Sequence, residues 1–280
     1  MRQQLLSYMD SQISYLVFGT GPEVALCFHG YGEEGNSFSF LDKLAGSEFT
    51  FISIDLPFHG KTNWNNGQYF QKKDLEVIIN NILSENKLEK LGMHKPFTLA
   101  GFSLGGRIAL CLYEIFPKQV KKIILLAPDG LKVNFWYRFS TQTWLGKKLF
   151  AFTMKYPGWF FAFLKILHFM GLVNVSIFKF VNYYIGNKEM RLLLYKRWTV
   201  LGKLKPDLER IKKAIGENKT WVSLLYGQHD RVIKPEPGIK FTKGIEEYAT
   251  VTIINSGHQV LNEKHTAEIL PLFTRKKDNP

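Results

Sequence analysis

The run Phe97-Thr98-Leu99-Ala100-Gly101-Phe102-Ser103-Leu104-Gly105-Gly106-Arg107 decides how this chain is read. Residues 97–100 are apolar or β-branched and read as a buried strand, whereas Leu104–Ile115 carries a helical pattern. The chain must therefore reverse from strand to helix around Ser103. Gly101 and Gly105 remove Cβ atoms from the crowded sides of such a turn. A serine at its tip projects its hydroxyl above the edge of the sheet.

Outward from this turn, short apolar runs alternate with helical patterns. Residues 12–18, 24–28, 50–54, 123–126, 222–226 and 250–254 read as further strands, and 36–45, 73–84 and 208–215 as further helices. Strands alternating with helices predict an α/β fold with a mostly parallel sheet covered on both faces. Residues 131–205 break the rhythm. They are aromatic and basic, with helices expected at 143–154, 159–170, 176–184 and 188–200, punctuated by Pro157, Gly171 and Gly186. The expected organisation is a core of residues 1–130 and 206–280 with a helical cap, 131–205, inserted between two strands. The most apolar piece, 159–170, carries Lys165 and His168 and is too short to span a bilayer.

A chain of 280 residues that is 45% hydrophobic is long and apolar enough for a sizeable core, which excludes a disordered chain. Cys27 and Cys111 lie in apolar runs and read as buried hydrophobes. No disulfide framework is expected. With no leader-like pattern in residues 1–20, a reducing, cytoplasmic setting is. The net charge of +13 is localised, because residues 131–220 hold 17 Lys/Arg against 4 Asp/Glu. Solvated helix faces account for it most simply. Trp136, Trp144 and Trp159 among lysines point besides to peripheral contact with an anionic membrane surface. No recognised nucleic-acid module accompanies the charge, so no nucleic-acid partner is expected.

A serine hydroxyl becomes a nucleophile only when a neighbouring base takes its proton. Of seven histidines, His258 follows a predicted strand within Ser256-Gly257-His258, where a loop at the carboxyl edge reaches toward Ser103. His94 and His168 lack that setting, and His265 falls in a helical pattern and is expected at the surface. Asp230, after the strand 222–226, is the candidate acid that fixes the imidazole tautomer. Asp129, in Ala127-Pro128-Asp129-Gly130, is its rival. The serine, acid, histidine order is the one this strand-turn-helix setting uses. A tetrahedral intermediate needs two N–H donors, of which the Leu104 amide is one. The other comes from the loop His29-Gly30-Tyr31-Gly32.

That loop, Asp55-Leu56-Pro57-Phe58-His59-Gly60, Gly101 to Gly106, Gly227 to Asp230 and Gly257-His258 together resemble the α/β-hydrolase superfamily over residues 23–130 and 206–265. The resemblance implies the Tyr31 amide as second oxyanion donor, architectural roles for His29, Asp55 and His59, and no metal or organic cofactor. The family usually has glycine where Phe58 stands. Phe102 and Arg107 are candidate substrate contacts. Ser-Leu-Gly-Gly-Arg also resembles the menaquinone-pathway synthase of this superfamily that eliminates pyruvate, in which an arginine here helps hold a polyanionic substrate. An arginine pairing with a nearby carboxylate is the plainer account of Arg107.

The run Gly30-x-Gly32-x-x-Gly35, with Asp55 twenty residues on, fits a dinucleotide-binding fingerprint. Glu33 and Glu34 would repel a pyrophosphate there. A non-catalytic binding scaffold is a further alternative, although it leaves Ser103, Asp230 and His258 without a task. The expected function is a serine hydrolase acting on a small-molecule carboxylic ester with an apolar acyl portion.

Overall fold

The computed structural model describes residues 1–86, 96–132, 135–171 and 181–274, with only the backbone of Trp136. His94 and residues 176–180 of the expected helix 176–184 lie outside the described residues. Among the described residues eight strands form one sheet: β1 (Arg2–Tyr8), β2 (Ser11–Phe18), β3 (Glu23–Phe28), β4 (Phe49–Ile54), β5 (Phe97–Phe102), β6 (Val120–Leu126), β7 (Trp221–Gly227) and β8 (Ala249–Ile254). Their order across the sheet is β1-β2-β4-β3-β5-β6-β7-β8. β1 pairs antiparallel with β2, and β2 with β4, while every later pairing is parallel.

The ten described α-helices are α1 (Leu41–Ala45), α2 (Lys72–Glu85), α3 (Leu104–Ile115), α4 (Phe135–Gln142), α5 (Trp144–Lys155), α6 (Gly158–Phe169), α7 (Lys188–Val200), α8 (Leu208–Asn218), α9 (Glu236–Thr242) and α10 (Thr266–Thr274). None of the helices in the described residues is long and apolar enough to cross a membrane.

The chain divides into two compact units. One comprises Met1–Asn66, Gln71–Lys132 and Leu204–Pro280, and the other Gly67–Phe70 and Val133–Lys203. In the first, β5 is buried along its whole length, as a central parallel strand covered on both faces must be. Cys27 and Cys111 are free and buried within this core. Burial pushes both thiols up, Cys111 to about 12, so neither is a thiolate at neutral pH. The second unit is held by its own aromatics. Tyr137 meets Trp198 at 5.3 Å between ring centroids, and Phe150 lies 5.4 Å from Tyr195 and 5.6 Å from Trp198. Its helices are capped locally: Thr143 accepts from Gly146 N at 3.0 Å, and Asn187 from Glu189 N and Met190 N.

Three local expectations need correction. β1 has no counterpart in the strands read from sequence, because only Leu6 and Tyr8 of it are buried and an edge strand so exposed leaves a weak apolar pattern. Residues 36–45 do not form one helix. A 3-10 turn over Gly35–Phe38 precedes α1, since Asn and Ser in this stretch compete with helical hydrogen bonding. His265 is not at the surface. It is 9% exposed, and its Nε2 lies 2.9 Å from Ser256 Oγ.

Candidate active site

The candidate site residues Tyr31, Phe102, Ser103, Leu104, Arg107, Asp129, Asp230 and His258 all belong to the sheet-bearing unit. β5 delivers the chain to Ser103, whose backbone stands at φ 49°, a region costly for any residue with a Cβ. The strain is held in place by hydrogen bonds on both sides: Ser103 N donates to Leu126 O at 2.9 Å, and Ser103 O accepts from Gly106 N and Asp129 N at 2.9 and 2.8 Å. The flanking glycines are required by close approach. A Cβ on Gly105 would overlap the Phe28 carbonyl, and one on Gly101 would overlap the Gly105 carbonyl across the turn. β5 and α3 can therefore meet at a sharp angle, with the serine side chain at the vertex.

Two parallel strands beyond β6, namely β7 and β8, deliver the partners. Past β7, the Asp230 side chain is fully buried. Its Oδ1 accepts from Val232 N at 2.7 Å and Ile233 N at 2.9 Å, and its Oδ2 lies 2.7 Å from His258 Nδ1. Two backbone donors and the ring N–H satisfy a carboxylate that burial alone would penalise. Past β8, His258 points its Nε2 at Ser103 Oγ, 3.1 Å away. Because Asp230 can only accept, Nδ1 carries the ring proton. Nε2 is then left with a lone pair facing the serine hydroxyl. The Phe102 ring covers the imidazole at 5.4 Å between centroids.

Asp129 has other partners. Its Oδ1 accepts from Gly130 N at 2.7 Å, and its Oδ2 pairs with the Arg107 guanidinium. Arg107 is buried, so its charge is answered within the protein. Leu104 is the first residue of α3 after Ser103, and the first N–H groups of a helix have no partner inside it. Tyr31 sits in the loop after β3. That loop is shaped by His29, whose Nε2 accepts from Leu56 N at 3.1 Å while Nδ1 faces Gly30 O at 2.8 Å. Phe58 stands at φ 61°, the left-handed backbone that favours glycine.

The dinucleotide-like spacing has a structural origin. Asp55 Oδ1 accepts from Gly35 N at 2.6 Å and Oδ2 from Lys61 N at 3.1 Å, so the acid ties the glycine loop to the next turn. Gly35 opens only a four-residue 3-10 turn and no long helix on which a pyrophosphate could rest.

Two supports were missed from sequence. Glu33 Oε2 accepts from Gly30 N at 3.3 Å, and its Oε1 accepts from Gln259 Nε2 at 2.6 Å, bridging the Tyr31 loop to the residue after His258. His265, through Ser256, anchors the same histidine loop. Neither pairing leaves a local signal, because the partners lie 226 and 9 residues apart and only the fold brings them together.

Residues 24–168 match the family model of the alpha/beta hydrolase fold. The chain belongs to this family. Among α/β-hydrolase relatives, a pimeloyl-[acyl-carrier protein] methyl ester esterase from Pseudoalteromonas atlantica is 30% identical over 130 residues, which are 46% of this chain and 46% of that protein. A candidate 2-succinyl-6-hydroxy-2,4-cyclohexadiene-1-carboxylate synthase from Bacillus subtilis is 31% identical over 129 residues, 43% of each. The chain thus matches less than half the length of these two relatives. The α/β-hydrolase enzyme MGS-M2, from a Medee basin deep-sea metagenome library, superposes with a TM-score of 0.69 at 17% identity, over 99% of both chains. That likeness is one of fold.

Proposed function

We propose that this α/β-hydrolase-fold enzyme cleaves carboxylic esters with an apolar acyl portion through an acyl-enzyme on Ser103. The observation that carries the proposal is the unbroken hydrogen-bonded line from Asp230 Oδ2 through both ring nitrogens of His258 to Ser103 Oγ. In the proposed mechanism Oγ attacks the ester carbonyl as its proton passes to Nε2, and Asp230 stabilises the imidazolium that results. The amides of Leu104 and Tyr31 donate to the oxyanion. The imidazolium protonates the departing alkoxide. A water then gives its proton to the same nitrogen and attacks the acyl-enzyme, and the acid leaves as the imidazolium returns that proton to Ser103 Oγ. The steps are balanced by side chains of this chain, so no cofactor enters the proposal.

Ester specificity is supported by the methyl ester esterase among the relatives. An apolar acyl preference, and the role of residues 131–205 as a cap, rest on the aromatic composition of that segment. Phe102, beside the imidazole, is the proposed apolar contact for substrate near the reacting carbonyl. A second reading, pyruvate elimination, is favoured by the synthase among the relatives. It asks Arg107 to hold a polyanion, and the guanidinium is already paired with Asp129. We therefore place the ester reading first.

A panel of aryl esters of graded acyl length, assayed beside the menaquinone precursor, tests both readings. The expected result is turnover that rises from acetyl to medium-length acyl groups, with no pyruvate released from the precursor. A variant lacking residues 133–203 is expected to keep no chain-length preference. Pyruvate release without ester turnover would reverse the order of the two readings, and an unchanged preference in the shortened chain would remove the cap assignment.

A further inference from the structure

We propose that the exposed faces of α5 and α6 form a docking surface for an anionic lipid bilayer. The inference is independent of the ester chemistry and rests on the second unit alone. Along α5, Leu145, Leu149, Phe152 and Tyr156 are all exposed. Their spacing of four, three and four residues puts them on one stripe of the helix. Along α6, Trp159, Phe163, Ile166 and Met170 are exposed at the same spacing. The two stripes are continuous, because Phe152 lies 5.4 Å from the Tyr156 ring and 6.4 Å from that of Trp159. Neighbouring Trp144 is 71% exposed and Phe169 is 93% exposed. A water-facing surface this apolar is more than scattered single residues, and it calls for an occupant.

Charge identifies that occupant. Residues 131–188 contain eight Lys/Arg and no Asp or Glu. On α5 the cations flank the apolar stripe: Lys148 Nζ sits 4.0 Å from the Trp144 ring centroid, and Lys155 Nζ 5.2 Å from that of Tyr156. Lys165 is exposed on α6. Aromatic rings with an ammonium beside them suit the boundary between headgroups and acyl chains, where one end is dry and the other is wet and negative. A second copy of this face would set cation against cation, which disfavours self-association through it. Spanning is excluded by length, since twelve residues reach only about 18 Å against roughly 30 Å of hydrocarbon. Each helix therefore lies along the interface, with its stripe inward and its lysines at the phosphates.

Co-sedimentation of the full chain with vesicles of phosphatidylcholine, with and without phosphatidylserine, tests this. Binding is expected to the serine-containing vesicles at low salt, to fall steeply as salt rises, and to be weak on phosphatidylcholine alone. The pair Lys148→Glu with Lys155→Glu removes the charge, and Phe152→Ser with Phe163→Ser removes the apolar contact. Each is expected to weaken binding by about tenfold or more while turnover of a soluble short-chain ester is retained. Absence of wild-type binding at low salt would overturn the proposal. So would equal binding to neutral vesicles, or a wild-type oligomer in solution that the Phe152→Ser, Phe163→Ser variant abolishes. Loss of long-acyl ester turnover in that variant, with vesicle binding unchanged, would assign the stripe to substrate and overturn it equally.

Discussion

Ser103→Ala is expected to lower kcat for ester hydrolysis by on the order of 10⁵-fold while leaving KM and the folded structure nearly unchanged. The substitution removes one oxygen from a side chain at the vertex of the β5–α3 turn. The hydrogen bonds that hold that vertex run through the backbone of residue 103 and survive. The donors proposed for the oxyanion are backbone groups as well, so they too remain. What is lost is the atom that attacks, and with it the acyl-enzyme. The measurement is kcat and KM on a short aryl ester, with thermal unfolding as the check on folding. A residual rate within tenfold of wild type would mean that another group performs the attack.

Asp230→Asn is expected to cost about 10⁴-fold in kcat, and the structure gives the reason. Val232 N and Ile233 N both donate to Oδ1, so an asparagine must keep its carbonyl oxygen on that side. Its NH₂ then faces His258 Nδ1 and donates to it. The ring proton is driven to Nε2, where a proton blocks acceptance from Ser103. The side chain keeps its size and position, and the chemistry stops because the tautomer is wrong. Asp129→Asn gives a contrast. It weakens the ion pair with Arg107 and is expected to lower stability by about 1–2 kcal/mol with less than a tenfold change in kcat. Paired kinetics and denaturant unfolding on the two variants measure both effects. If the Asp129 variant were the inactive one, the assignment of the acid would move to that residue.

The parts of this site that sequence reveals are those written into the ends of strands. Ser103, Asp230 and His258 each stand just past an apolar run, and parallel strands bring such ends to one edge of the sheet. The glycines around Ser103 announce the sharp turn because no other residue fits beside the Phe28 carbonyl. The parts that stay hidden depend on tertiary contact. His265 sits in a helical pattern that suits a surface residue, and only the folded chain buries it and brings it to Ser256. Glu33 looks merely acidic until the loop carrying Gln259 folds against it. Asp55 shows the opposite effect, in which a real local signal has a different meaning. Its distance from the glycine loop imitates a cofactor site, while the carboxylate is spent on Gly35 N and Lys61 N. β1 escapes notice because an edge strand with two buried side chains satisfies its backbone by pairing with β2 and needs little apolar pattern of its own.

The central claim is that the His258 imidazole makes the Ser103 hydroxyl nucleophilic, and the most direct measurement is the site of covalent reaction with a fluorophosphonate. Intact protein and peptide mass spectrometry should find one phosphonyl group, on Ser103, with fluoride displaced. The rate of labelling should fall by orders of magnitude in His258→Ala. Reaction at a different residue, or labelling of Ser103 that proceeds as fast without the imidazole, would contradict the account.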